Sequence, residues 1–266
     1  MNQQKTLPAV IQTGPVASTS THAQQLLAQG RSYPELTVWA SNRQTDGRGQ
    51  GDHRWESAPG RNVTCSILLR PTFLPAKDQF CLSECIALAV SDLVNEFTPD
   101  VRIKWPNDIY VGDRKVAGIL TEHTLAGRTI QHTIIGIGLN VNQETFLSDA
   151  PNPVSLCQLT GRTYPLHDLT ERLQQHVAAR YEALRSGWAA ADMAEKLRAE
   201  YLGRMYRFGE WHRFRSGTET FDGRISGVTS QGYLEIGRHD GTVRHFDLKE
   251  VQFLSDSPMA HDLRTG

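Results

Sequence analysis

The sequence is short of cysteine, of long apolar runs and of net charge, and each shortage removes a class of protein. Its 266 residues include four cysteines, Cys65, Cys81, Cys85 and Cys157, with no CxxC pair and no Cys/His spacing suited to zinc. A disulfide framework or zinc module is therefore not supported, and the thiols read as packed side chains. No apolar stretch approaches the roughly 20 residues that cross a bilayer. The polar start Met1-Asn2-Gln3-Gln4-Lys5-Thr6 lacks the charged-then-apolar layout of a signal peptide, which predicts a cytoplasmic protein with no membrane attachment. With 28 Lys+Arg against 29 Asp+Glu the formal charge is -1, so there is no long-range field to gather a polyanion and no DNA partner is expected. GxxxxGK[ST] is absent, and the ten histidines show neither HxxxH nor HExxH. Gly136-Ile137-Gly138 lacks the third glycine and following helix of a dinucleotide turn.

What is present is the composition of a chain with a real core, 39% apolar and 21% charged. Ala23 to Ala28 predicts a short helix, Leu36 to Ala40 a strand, and Val63 to Leu69 a β-rich run. Apolar residues recur at helical intervals from Ala76 to Phe97 and again from Leu166 to Tyr201. Between those helices, Val101–Lys104, Asp108–Val111, Lys115–Glu122 and Thr129–Val141 read as strands of one sheet. After Gly203 seven glycines punctuate short alternating runs, the pattern of a small all-β barrel. The expected organisation is a large α+β domain over 1–203, a small β domain over 204–255 and a polar tail over 256–266.

Three blocks carry chemistry. Gly47-Arg48-Gly49-Gln50-Gly51 sits in a loop from Ser41 to Arg61 that is long for a compact domain, the form taken by lids and binding segments. Its glycines let backbone N–H groups approach an anion and Arg48 offers a planar fork, although such a stretch also reads as a turn. Lys104-Trp105-Pro106-Asn107-Asp108 joins a cation, an aromatic, a rigid turn, an amide and a carboxylate, suited to a nucleotide phosphate or Mg²⁺. The same pentad reads as the start of a hairpin with Trp105 as a core plug. Lys115 opens the apolar run Val116-Ala117-Gly118-Ile119-Leu120, where an ammonium is costly unless an anion meets it or the side chain snorkels to water.

In their order and spacing these blocks, with Ser18-Thr19-Ser20, Gln44, Trp55 and Gly136 to Asn142, resemble the biotin protein ligases over roughly residues 10 to 255. The resemblance implies a mixed, largely antiparallel sheet with packed helices and a C-terminal SH3-like barrel. It implies MgATP-dependent activation of biotin to biotinyl-5′-adenylate, followed by transfer to a lysine of a biotin carboxyl carrier protein. Ser18, Thr19, Ser20 and Gln44 would line the biotin pocket. Gly47, Arg48, Gly49 and Gln50 would wrap the carboxylate and the adenylate phosphate. Lys115, with Arg48, would be catalytic, standing between carboxylate and α-phosphate. Asn107, Asp108 and Asn140 would serve the nucleotide, Asn107 and Asp108 its Mg²⁺, and Trp55 and Trp105 would pack against adenine or the lid. The position of Ser18 predicts the monofunctional type without an N-terminal DNA-binding domain, as a monomer or a homodimer.

Two departures stand out. Ser20 replaces the family's usual asparagine, and Gln50 replaces an arginine, removing one charge from the anion loop. The competing readings are a lipoate ligase or octanoyltransferase of the same superfamily and, from a different class, a non-catalytic nucleotide-binding module.

Overall fold

The computed structural model describes residues 6–51, 54–147 and 152–254. Asp52 and His53 of the glycine-rich loop and the tail 256–266 lie outside the described residues.

A seven-stranded sheet forms the centre, built from β1 (Ile11–Thr13), β2 (Val38–Ser41), β3 (Val63–Leu69), β4 (Val101–Lys104), β5 (Asp108–Val111), β6 (Arg114–Ala126) and β7 (Thr129–Leu139). Its order is β1-β2-β3-β7-β6-β5-β4, antiparallel throughout except for the parallel β1–β2 pair. Side chains alternate across a strand, and β3 separates them cleanly. Leu68 joins Trp39, Ile134 and Ala23 in a small cluster under helix α1 (Thr19–Ala28). Ile67 and Leu69 face the main core instead. There α2 (Phe80–Asn95), buried along almost its whole length, packs on the sheet beneath α4 (Leu166–Gly187) and α5 (Met193–Gly203).

After α5, strands β8 (Trp211–Ser216), β9 (Glu219–Val228), β10 (Leu234–Gly237), β11 (Val243–Phe246) and β12 (Gln252–Phe253) form an antiparallel sheet in the order β11-β10-β9-β8-β12. It is tied to the central sheet at the β4 edge, where Ile103 N–H donates to Arg204 O at 2.8 Å and Tyr206 N–H to Ile103 O at 2.9 Å. Trp105 adds a side-chain tie, its Nε1 donating to Gly232 O at 3.0 Å.

Several elements differ from the sequence expectation. α1 starts at Thr19 rather than Ala23, because Thr19, Ser20 and Ala23 turn one small, buried face to the sheet. The helical stretch after Leu166 is two helices, and Gly187 leaves at the break the space that Met193 Sδ fills. α3 (Leu156–Thr160) was not anticipated, although Ser155 and Gln158 form a reciprocal capping box at its start. β1, three residues long, carried no periodicity to read.

The core includes one charged pair. Glu84 on α2 is fully buried and accepts from Arg198 Nε of α5 at 2.8 Å. Burial pushes its carboxyl above the ordinary 4.5, and Arg198 opposes that shift. Arg198→Met strands the carboxylate and is expected to cost about 3 kcal/mol at neutral pH. Losing Arg198 raises the folded-state pKa of Glu84 further still, so the cost is full where the carboxyl is ionised in both proteins and fades as pH falls through the wild-type folded value, which lies above 4.5. Thermal midpoints of both proteins across that range give the measurement.

Candidate active site

On the α1 side of the sheet, three glycines leave a floor without side chains. Gly118 of β6 is paired with Gly138 of β7, and Leu120 with Gly136, while Gly138 and Gly136 face Thr64 and Ser66 of β3. A methyl on Gly136 would meet Ser20 Oγ at 2.6 Å, one on Gly118 would meet the Trp55 ring at 2.8 Å, and one on Gly138 would overlap that ring outright. The glycines therefore make room for α1 on one side and for the loop carrying Trp55 on the other. Between them lies a cavity of about 290 Å³, at the small end of ligand pockets. A second groove of about 230 Å³, running between the start of α2 and the C-terminal sheet, shares Gln50, Trp105, Asn107 and Leu248 with it.

One wall is uncharged. Thr19 Oγ1 and Ser20 Oγ both meet Ser66 Oγ, at 2.8 and 3.0 Å. Gln44 Oε1 accepts from Thr19 N and Oγ1 at 2.8 and 3.2 Å, so the Gln44 carbonyl is spent on α1 and its NH₂ keeps its donors for the cavity side. Ser66 is fully buried and sits at the centre of this network. Sequence reasoning missed it, because a serine inside an apolar β-run carries no distinguishing signal.

Lys115 reaches the cavity through a bulge. Ile109 pairs with Ala117 but Tyr110 with Lys115, so Val116 and Ala117 both turn to the main core and Lys115 is re-aimed to the opposite face. Its Nζ stands 2.6 Å from Asp108 Oδ2 and 5.7 Å from the centre of the Trp55 ring. While Lys115 stays opposite Tyr110 of β5, its backbone hydrogen-bonds to residues 152–154, through Lys115 N–H to Asn152 O and Val154 N–H to Lys115 O, both 2.9 Å. The anion expected to meet this ammonium is thus Asp108 of the chain itself.

The loop between β2 and β3 forms the roof. Trp55 N–H donates to Gly47 O at 2.8 Å and Arg48 bridges Arg54, giving a narrow ribbon. The Arg48 guanidinium approaches Glu122 on β6 at 2.8 Å. From the C-terminal sheet, Leu248 and Lys249 complete the lining, with the Lys249 ammonium against Gly51.

Of the residues singled out from sequence, Ser18, Thr19, Ser20, Gln44, Arg48, Gly49, Gln50, Trp55, Trp105, Asn107, Asp108 and Lys115 converge on this cavity. Gly47 and Asn140 lie outside the lining. Gly47 contributes its carbonyl to the ribbon, and Asn140 Nδ2 donates to Val154 O at 3.2 Å, behind Lys115, while its Oδ1 is buried without a partner. Lys104 is drawn away from the cavity, its ammonium 3.2 Å from Tyr110 Oη and 5.2 Å from the Phe253 ring, and burial lowers its pKa. Cys65, which lines the cavity, has its thiol pushed up to about 12 by burial and is no nucleophile at neutral pH.

Among the described residues no cluster of three or more His, Cys, Asp or Glu could hold a metal ion unaided. The hard oxygens of Asn107 and Asp108 instead suit a Mg²⁺ whose remaining ligands are phosphate and water.

Comparison with known proteins agrees with this geometry. Residues 14–140 match the biotin/lipoate A/B protein ligase family. The biotin–[acetyl-CoA-carboxylase] ligase of Paracoccus denitrificans is 32% identical over 226 residues, covering 81% of this chain and 89% of that protein. The bifunctional ligase/repressor of Bacillus subtilis is 29% identical over 85% of this chain and 68% of its own length. The biotin protein ligase of Aquifex aeolicus, solved with biotin and ATP, shares the fold at a TM-score of 0.74 and 23% identity, over 93% of this chain and 100% of that one.

Gly138→Ala tests the floor directly. The added methyl displaces the Trp55 indole at an overpacking cost of order 1–3 kcal/mol. A lower denaturant midpoint with faster proteolysis between residues 47 and 55 is the expected result.

Proposed function

The chain belongs to the biotin protein ligase family, and we propose that its cavity activates biotin with MgATP and passes it to a lysine of a biotin carboxyl carrier protein. In the first half-reaction a biotin carboxylate oxygen attacks the α-phosphorus of ATP, the bond to the β-phosphate breaks, and pyrophosphate leaves from biotinyl-5′-adenylate. In the second, the ε-amine of a carrier lysine attacks the acyl carbon, the bond to AMP breaks, and the amine loses a proton as the amide forms. Neither half requires a covalent enzyme intermediate, so the protein contributes positioning and charge.

One observation carries this reading: a wall of hydroxyls and an amide adjoins a carboxylate-paired lysine within one small cavity. The ureido ring of biotin offers one carbonyl acceptor and two N–H donors, which Gln44 NH₂ and the Thr19, Ser20 and Ser66 oxygens can meet. Lipoate and octanoate offer no ureido group to match this wall, and a Gln44 NH₂ desolvated without a partner would cost about 1–3 kcal/mol. Lys115, fixed by Asp108, would bridge the biotin carboxylate and the α-phosphate and stabilise the charge that accumulates between them. Arg48 and the backbone around Gly49 would take the phosphate. Asn107 and Asp108 would hold the Mg²⁺ that ATP brings, an ion that neutralises phosphate charge. Trp55 and Trp105 would flank the nucleotide, and Asn140 would serve it indirectly, by holding the Val154 segment that binds the Lys115 backbone. The second groove supplies volume for the nucleotide beyond the 290 Å³ of the first.

On the same reading residues 1–203 are the catalytic domain and 204–255 an SH3-like domain closing one side of the site, in a cytoplasmic ligase. No helix among the described residues is long and apolar enough to cross a membrane.

Biotin-dependent exchange of labelled pyrophosphate into ATP tests the first half-reaction. The wild type should exchange with biotin but not with lipoate or octanoate, and Lys115→Ala should lose roughly 10²-fold or more. Exchange with lipoate would move the chain to the lipoate branch, and none with any acid would leave a binding module. Gln50→Arg should lengthen retention of the adenylate by about tenfold, the value of one charge-assisted hydrogen bond. Equal release half-times would count against a role for the neutral side chain.

A further inference from the structure

Arg48 lines the cavity, yet one edge of its guanidinium is already engaged, with Nη2 2.8 Å from Glu122 Oε1. Glu122 lies on the cavity face of β6, in line with Gly118 and Leu120 and opposite Ile134. Its second oxygen, Oε2, is buried without a hydrogen-bond partner.

The setting of Arg48 explains why such a partner is needed. The ribbon fixes its backbone, but Gly47 and Gly49 on either side bring no side chains to pack against, so the long flexible side chain needs a partner to set its direction. Between Gly47 and Gly51 it is the sole cation, because position 50 is a neutral glutamine. β6 is by contrast a 13-residue strand whose stretch from Ala117 to Ala126, Glu122 included, is paired residue by residue with β7, so Glu122 stands on a regular sheet while Arg48 stands on a loop. A guanidinium presents five N–H donors in a planar fork, and a carboxylate on one nitrogen leaves the remaining edge for an anion.

We propose that Glu122 is a positioning residue for the adenylation reaction, anchoring the loop through Arg48 and aiming the free edge of that guanidinium at the substrate phosphate. The inference rests on the biotin-adenylating reading of the cavity. It assigns Glu122 no contact with substrate. Its effect passes through Arg48 and falls on ligand affinity and retention, not on the reacting atoms.

The test uses the full-length protein as wild type, Glu122→Gln, Arg48→Ala and the double variant. Glu122→Gln should release preformed biotinyl-5′-adenylate about tenfold faster. In pyrophosphate exchange it should raise KM for biotin and ATP several-fold while kcat changes by less than about twofold, the pattern of lost uniform binding. In the Arg48→Ala background the Glu122 change should add nothing further. Hydrogen exchange at the amides of Arg48 to Gln50 in ligand-free protein should speed up in Glu122→Gln, a readout independent of catalysis.

Unchanged or slower adenylate release in Glu122→Gln would overturn the proposal, the slower case meaning that Glu122 competes with substrate for Arg48. Effects that multiply in the double variant would overturn it as well. Loss of exchange in the wild type would sink the adenylating function itself, while the hydrogen-exchange comparison would still report whether Glu122 anchors the loop. If Glu122→Gln does not fold, Glu122→Asp, which keeps the charge but shortens the reach, should show the same pattern in weaker form, and wild-type behaviour in that variant would overturn the proposal.

Discussion

A lysine ammonium in a half-buried cavity must have an anion beside it, and the geometry around Lys115 follows from that requirement. Asp108 supplies the anion from the start of the preceding strand, 2.6 Å away. For Lys115 to face it, the alternation of β6 has to break, and the bulge at Val116 breaks it. The backbone N–H and C=O of Lys115 need partners as well. Residues 152–154 satisfy them, and Asn140 holds that segment from behind by donating to Val154 O. The lysine that faces Asp108 is thus held by the β5–β6 bulge at its side chain, by residues 152–154 at its backbone, and through them by an asparagine that never reaches the cavity lining.

The space in front of that lysine exists because side chains were left out of it. Gly118, Gly136 and Gly138 occupy positions of the central sheet where any Cβ would collide with Ser20 or Trp55. The Trp55 ring lies over Gly118 and Gly138 and Ser20 over Gly136, so the loop and the helix set the width of the cavity. The C-terminal sheet is part of the same construction. Trp105 turns one face to the cavity while its indole N–H reaches Gly232, and Leu248 and Lys249 line the wall near Gly51. The C-terminal sheet thus bears on the cavity both through the Trp105 indole and through its own Leu248 and Lys249.

Much of this was legible in the sequence because it depends on local chemistry. The long apolar runs gave β3, β7 and α2. The glycine punctuation after residue 203 gave a small antiparallel sheet, and the clustered motif residues mark the cavity. What could not be read was pairing across distance. Asp108 as the partner of Lys115, Glu122 as that of Arg48 and Ser66 as the hub for Thr19 and Ser20 all depend on which strand lies beside which. Lys104 misled for the same reason: a lysine at the head of a polar pentad suggests phosphate, but the C-terminal sheet brings Phe253 over it and Tyr110 takes its ammonium. The capping box before α3, by contrast, was written plainly as Ser155-Leu156-Cys157-Gln158.

The pairing of charges also bears on how such a site can turn over. Lys115 and Arg48 each own one carboxylate, and position 50 is neutral, so these four groups sum to zero before substrate arrives. Unpaired cations in a confined cavity would bind pyrophosphate and AMP as well as they bind the transition state. Tight binding shared equally by ground state, product and transition state does not accelerate a reaction and slows release. Carboxylates at fixed distances keep the cations oriented, so that little reorganisation is needed when charge develops, and they moderate the field that products must escape. Orientation without excess attraction is what an enzyme needs when it must form a reactive mixed anhydride, hold it until a carrier lysine arrives, and then release two anionic products in turn.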